Sequence, residues 1–317
     1  MLIRYIGSRL AQAVLVLWAA FTVSFVVLYL LPSDPATILL SQEVGPGGHI
    51  TAAALARVKH EYGLDQPVIV QYLHQLGNAL HFNFGISISQ GQPVSSLLAE
   101  DVPPTLTLAA FALLLTVVLG VVLAFLATWV QVRWLRRLLE RLPAVGVSLP
   151  TFFVGLLLIQ LFSFTLHWFP AAGSIGLASL VLPAVTMALP TSGVLAQVLI
   201  RSLGDALDEP YITTAQAKGL GRFAIHLRHA FKNAALPALT ILGLLFGATI
   251  TQAVVAETVF SRNGVGRLAQ QAVTAQDIPV VQGIVVIAAA LFVTINLIVD
   301  LLYPLLDPRV VSTPRVA

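Results

Sequence analysis

EPYITTAQAKGLGRFAIHLRHAFKNAALP, residues 209–237, is a polar and basic stretch with long apolar runs on both sides. Apolar runs of about 20 residues are what a helix needs to cross the hydrocarbon core of a bilayer. The stretch therefore reads as a loop between two membrane-crossing helices. Within it the pattern predicts two short amphipathic helices joined at Gly219-Leu220-Gly221. The first runs from about Asp208 to Lys218, with Asp208 as its N-cap. Its Ala215, Ala217 and Gly219 leave the backbone nearly bare, so another protein can approach closely. The second helix carries Arg222, Arg228, His229 and Lys232. Two readings stand side by side: an elbow presented to a partner, or a basic loop of the kind that marks the cytoplasmic side of any membrane protein.

Composition supports a membrane protein of many spans. Hydrophobic residues make up 57% of the 317 and charged residues 10%, with a mean hydropathy of +0.90. A soluble domain carries about 25% charged residues. The net charge of +3 and pI near 9.4 do not indicate nucleic-acid binding, because the basic residues sit beside apolar spans rather than in a cluster. The absence of cysteine excludes a disulfide framework, a thiolate metal site and a cysteine nucleophile.

Six stretches are long and apolar enough to span: about 10–31, 104–130, 142–168, 180–200, 235–258 and 279–303. They lack the alternation of a barrel, so the fold class expected is an all-α bundle of six transmembrane helices. The first run has 22 residues, longer than a signal-peptide core of about 7–15, and is read as an uncleaved span. Placing the N-terminus in the cytoplasm puts thirteen Lys and Arg inside and four outside, so both termini are expected to be cytoplasmic. The Arg-rich run at 133–141 is read as part of that topology signal.

Residues 32–103 form a long extracytoplasmic segment. PSDPA (32–36) breaks the first helix and GPGG (45–48) is a turn. A helix is predicted over 51–64, with Thr51 as N-cap and Gly63 as stop, and a second amphipathic helix over 67–85. A loop of this length with its own helices is usually functional, and a small external helical subdomain is expected. Pro143, Pro150, Pro183, Pro190 and Pro237 punctuate the later spans. Gly243 and Gly247 form a G-x-x-x-G that permits close helix contact.

Charge at membrane depth is nearly absent. Transporters driven by protons or sodium tend to carry ionisable groups there, yet only Glu257 and Asp300 approach such a position. Glu257 and Asp277 are candidates for the mouth of a translocation path. No phosphate-binding G-x-x-x-x-G-K-[ST], H-E-x-x-H or G-x-S-x-G is present. His226 and His229, three residues apart, read as a solvated basic face rather than a metal site. The chain offers a helical bundle, no energy source of its own and an exposed elbow. A transport subunit powered by a separate protein follows; the alternative is a secondary transporter or channel that works alone.

The chain resembles the permease subunits of bacterial ABC importers for dipeptides, oligopeptides and nickel, and looks like the first of the two permeases in such systems. The resemblance rests on RLAQAVLVLWAAFTVSFVVLYLLPSDPA (9–36), GLDQPVIVQYLHQLGNAL with FGIS (63–87), SLPTFFVGLLLIQLFS (148–163), the elbow, and NGVGRLAQQAV, DIPVVQG and NLIVDLLYPLLDPR within 263–309. The family's ATPase-docking loop has an E-A-A…G pattern. By resemblance it is TTAQAKGLG, with Thr213 at the Glu position, Gln216 where many relatives have Arg, and Gly219 as its glycine.

The resemblance implies a type I importer permease with no catalytic or metal residue of its own. The coupling residues would be Thr213, Thr214, Ala215, Ala217, Lys218, Gly219, Leu220 and Gly221. The expected layout is a cytoplasmic N-terminus and first span (1–31), the extracytoplasmic subdomain (32–103), a five-span core (104–303) with the docking loop at 203–234, and a cytoplasmic tail (304–317). Expected partners are a second homologous permease, two cytoplasmic ATPase domains that bind ATP and Mg, and an extracytoplasmic solute-binding protein, all at the bacterial cytoplasmic membrane. The implied cargo is a dipeptide or oligopeptide, with a nickel chelate or haem as the alternative.

Overall fold

The computed structural model describes residues 2–29, 37, 40, 51–61 and 65–306, and eleven helices can be delimited among them. In chain order they are α1 (Leu2–Tyr29), α2 (Ala52–Glu61), α3 (Val68–Leu80), α4 (Val94–Trp129), α5 (Arg133–Ser148), α6 (Thr151–Thr165, ending in a π-helical turn), α7 (Ala178–Leu207), α8 (Pro210–Ala217), α9 (Arg222–Val259), α10 (Val265–Thr274) and α11 (Ile278–Leu306). Among the described residues there is no strand, only an isolated bridge between Ile86 and Pro93. The expected breaks at 32–36 and 45–48, the stop at Gly63, the side chain of Asp300 and the tail beyond 306 lie outside the described residues.

Among the described residues, five helices are long and apolar enough to cross a membrane: α1, α4, α7, α9 and α11. The pair α5 and α6 makes a sixth crossing if counted as one bent span. Here the expected span over 142–168 is corrected to a sharply bent pair that begins earlier, at Arg133. The chain bends by 102° between α5 and α6. Leu149 and Pro150 are both extended at the break, because a residue before proline is driven out of the helical region and proline has no N–H to continue the ladder. The Arg-rich run belongs to α5, where Arg136 Nε donates to Glu140 Oε1 at 2.8 Å across one turn. Other spans run past their expected ends: α4 begins at Val94, α7 continues to Leu207 and α9 starts at Arg222.

The chain divides into two compact units. One is built mainly on Pro104–Asn263. Its interior contains many small residues. Ala124 of α4 and Ala206 of α7 meet Ala230, Ala234 and Ala238 of α9 around Leu195, Leu199 and Leu203. Further along the same helices, Ala112, Ala184, Ala253 and Ala256 surround Leu108, Leu180 and Met187. Lipid is as apolar as leucine, so helices in a bilayer associate by close packing rather than by hydrophobic expulsion, and small residues permit the approach. Gly193 of α7 is the tightest case: a Cβ there would lie 2.6 Å from the Pro143 carbonyl oxygen of α5. Reciprocally, a Cβ on Gly146 of α5 would meet the Leu189 carbonyl oxygen at 3.2 Å. Hydroxyls in these helices bond back to carbonyls one turn earlier, as Thr186 does to Leu182 at 2.8 Å and Thr249 to Leu245 at 2.7 Å.

The other unit comprises Arg4–Pro103 and Gly264–Thr294. Val94, Leu97 and Leu98 pack with Leu268 and Ala272 of α10 and with Val280 and Ile284 of α11. Tyr72 of α3 lies between Phe21 and Phe25 of α1 at centroid distances of 5.7 and 5.4 Å, and its hydroxyl shares a 2.8 Å hydrogen bond with Thr22. Helix α2 is capped as expected, since Ala54 N donates to Thr51 Oγ1 at 3.3 Å. The second helix of this segment ends at Leu80 rather than near 85. Exposed apolar side chains line α1, including Val14, Leu15, Trp18, Val23 and Val27, as expected of a lipid-facing helix.

Candidate functional site: the elbow between α7 and α9

The elbow is shorter than its sequence pattern predicts. Asp208 does not start a helix. It closes α7, donating its backbone N to Gly204 O at 3.2 Å. Glu209 is extended, and α8 begins at Pro210, where a fixed φ and a missing N–H suit a first helical position. Helix α8 ends in a Schellman motif. Gly219 N donates to Gln216 O at 2.9 Å and Leu220 N to Ala215 O at 3.3 Å. The motif needs a left-handed residue just past the helix, and Gly219 supplies it with φ +78°. A Cβ on Gly219 would meet nothing within 4 Å, so the glycine serves the backbone turn and leaves open space above it.

Seven of the eight sequence-derived coupling residues lie at the surface: Thr213, Thr214, Ala217, Lys218, Gly219, Leu220 and Gly221. Ala215 is the exception at 6% exposure, packed with Ile212 against Ile225. Helix α8 thus has one face fixed to the body of its unit and one face free.

No separate second elbow helix exists. Residues from Arg222 continue through a π-helical turn, Ile225–Ala230, straight into α9. That turn overturns the expected solvated histidine pair. His226 is 3% exposed, and its Nδ1 lies 3.2 Å from the Arg222 carbonyl. A carbonyl only accepts, so Nδ1 carries the proton. The His226 ring meets Phe125 and Trp129 edge-on at 5.7 and 5.2 Å. Beside this cluster lies a pocket of about 440 Å³ bordered by Thr128, Gln131, Ile212, Gln216, Arg222 and His226. Phe125, Trp129 and Phe223 were not legible as site residues; the nearest signal is an aromatic at the end of the second apolar run.

The two carboxylates proposed for a translocation mouth are both fully buried, at 0% exposure. Glu257 of α9 accepts from Thr105 Oγ1 at 2.6 Å. In the same unit Arg262 is also buried and donates from Nη1 to Ser179 Oγ at 3.1 Å. Asp277 precedes α11. Its Oδ2 accepts from Ser87 Oγ at 2.6 Å, Ser89 Oγ at 2.7 Å and Ser89 N at 2.9 Å. Burial pushes the Asp277 carboxyl up, but the hydrogen bonds from Ser87 and Ser89 together outweigh it and hold the group below the usual carboxylate value. No group of three potential metal ligands occurs among the described residues.

These features define an all-helical, multi-pass membrane protein with a capped surface elbow between two of its spans. Residues 116–312 match the family described as the binding-protein-dependent transport system inner membrane component, and residues 1–109 match that family's N-terminal membrane component. The chain belongs to this family, and is the permease component of an ABC-type importer in the inner membrane. It is 38% identical over 318 residues to a putative peptide transport system permease protein of Brucella melitensis, covering 98% of this chain and 99% of that one. It is 33% identical to the glutathione transport system permease protein GsiC of Escherichia coli, with 98% and 99% covered. Among solved structures it resembles the inward-facing MetNI methionine ABC transporter, with a TM-score of 0.54, 15% identity, and 67% of this chain and 96% of that chain covered. An amino acid ABC transporter crystallised with histidines gives a TM-score of 0.51 at 18% identity, covering 68% and 94%. At such identities the two structures support the fold alone.

Proposed function

We propose that the chain is one half of the translocation path of a peptide importer and that α8 is where the driving ATPase pushes. In this reading a second, homologous permease completes the path. Two cytoplasmic ATPase domains carry the ATP and Mg, and an extracytoplasmic binding protein delivers a dipeptide or oligopeptide. Both termini and the elbow face the cytoplasm. Closure of the ATPases displaces α8 and shifts the bundle between inward- and outward-facing states, a two-state equilibrium biased by nucleotide on a partner. A stand-alone secondary transporter is not favoured, given the family. Peptides are favoured over a nickel chelate or haem by the names of the relatives.

The observation that carries the proposal is the free face of α8: an exposed, Schellman-capped helix between two spans, with open space over Gly219. Three variants test it by tagging this chain and identifying what co-purifies. Gly219→Asn keeps the left-handed turn, which Asn tolerates, and is expected to retain the ATPases. Gly219→Asp keeps the turn but adds a charge at the contact, and is expected to insert normally and lose them. Gly219→Ala probes the backbone alone. ATPase recovery from Gly219→Asp equal to wild type would remove α8 as the docking element.

A further inference from the structure

Helix α4 ends beside the elbow but has no chain connection to it, since Trp129 leads away into α5. A lateral tie bridges the gap. Arg222, in the first turn of α9, donates from Nη2 to the Trp129 carbonyl oxygen at 2.6 Å. Its guanidinium carbon also lies 4.7 Å from the centroid of the Trp129 ring. The last four carbonyls of a helix have no partner within the helix, and that end carries partial negative charge. Arginine answers both with one planar group that bonds the carbonyl and covers the ring, which lysine cannot reproduce. The ring is fixed in turn: Trp129 stacks on Phe125 at 5.5 Å and 14°, and meets Phe223 and His226 edge-on at 6.3 and 5.2 Å.

The tie continues to the free helix. Ile225, one turn after Arg222, packs on Ile212 and Ala215 of α8. Tyr211 of α8 accepts from Asn233 Nδ2 of α9 at 2.9 Å. A contiguous set of contacts thus runs from α8 through the first turns of α9 to the end of α4. The alternative route is along the backbone of α7 and α9, which are joined to the elbow directly and need no Arg222. That route reaches α4 through side-chain packing along its length, as Ala124 packs with Leu195 and Leu199, but it does not fix the end of α4 to the elbow.

We propose that Arg222 is a positioning residue that clasps the end of α4 to the elbow, so that displacement of α8 moves α4 together with α9. The inference rests on the reading of α8 as the ATPase contact. It names how the push reaches a span that the elbow does not adjoin in sequence.

The chain has no cysteine, so this subunit adds no background to the spin labels, and any cysteines of the partner subunits are replaced by serine. Labels at Val132→Cys and Glu209→Cys report the separation between the end of α4 and the start of α8. The intact complex, with its ATPases, is measured without nucleotide and trapped with ATP, Mg and vanadate. With Arg222 present, the distance distribution is expected to stay single in both states. With Arg222→Ala, trapping is expected to create a second population displaced by about 5 Å, one helical turn of slip, while ATP hydrolysis continues. Trp129→Leu keeps the carbonyl and is expected to give a smaller second population. Arg222→Lys is expected to fall between. A merely structural cap would lower stability without splitting the distances in one nucleotide state only. Unchanged distances in an Arg222→Ala complex that still holds its ATPases overturn the clasp. Retention of ATPases by Gly219→Asp bears instead on the docking reading, so the two failures are distinct.

Discussion

Two ties hold distant parts of this chain together, and they are built differently. Asp277 is sealed from solvent and accepts three hydrogen bonds at one carboxylate oxygen, two of them from hydroxyls. Arg222 is exposed and makes one hydrogen bond to a backbone carbonyl together with a ring contact. A buried charge with its bonds satisfied resists any change, because each lost partner leaves an uncompensated group. An exposed cation on a carbonyl and a ring contributes less to global stability, since water replaces what it loses on unfolding. The first tie anchors a loop; the second suits a joint that must carry load through a cycle.

The sharpest way to break this contrast is Asp277→Ala. It strands donors from Ser87 and Ser89 in a buried site, and a loss of about 3 kcal/mol is expected from charge-assisted bonds of this kind, read as a fall in Tm of the purified protein. Asp277→Asn keeps an acceptor and should lose about half as much. The tie also has a pH signature. Its native carboxyl is held below the ordinary value of 3.8, so its stabilisation is fully present above that value and is lost as the pH falls through the native one. In Asp277→Asn the unfolding curves should lose that acid-side component. Gly193→Ala comes next, since its new Cβ would press on a backbone carbonyl at 2.6 Å that cannot rotate away; about 1–3 kcal/mol is expected. Arg222→Ala should lower thermal stability by only about 1 kcal/mol, although a large effect is expected on distances in the trapped state. Gly219→Ala is expected to cost about 1 kcal/mol or less through its left-handed backbone alone. Equal Tm losses for Asp277→Ala and Arg222→Ala would erase the distinction between anchor and joint.

What the sequence disclosed, and what it hid, follows the range of the forces involved. Spans α1, α4, α7, α9 and α11 were legible because a bilayer imposes composition on every residue that crosses it. Gly219 was legible because a left-handed turn has a strong residue preference. Asp208 misled, because a good N-capping residue also fits the last turn of a helix that simply continues. Pro150 marked a candidate kink, but the apolar residues on both sides of it hid how far the chain turns there. His226 was misplaced because the i, i+3 reading assumed a regular helix, whereas a π-helical turn lies there and α4 covers the ring. The serines that hold Asp277 lie 188 and 190 residues away along the chain, and no local pattern announces a partner at that distance.

The reciprocal contact of Gly146 and Gly193 has a consequence for how the gene can drift. Much of the apolar surface can exchange leucine, valine, isoleucine and phenylalanine with little penalty, since lipid accommodates any of them. At these two positions the nearest opposing atom is a carbonyl oxygen of the neighbouring helix, which cannot repack as a side chain can. Every amino-acid replacement reachable from a glycine codon adds at least one carbon. At Gly193, where the contact would be 2.6 Å, any such replacement forces α5 away from α7; at Gly146, at 3.2 Å, a shift of a few tenths of an ångström can absorb the smallest of them.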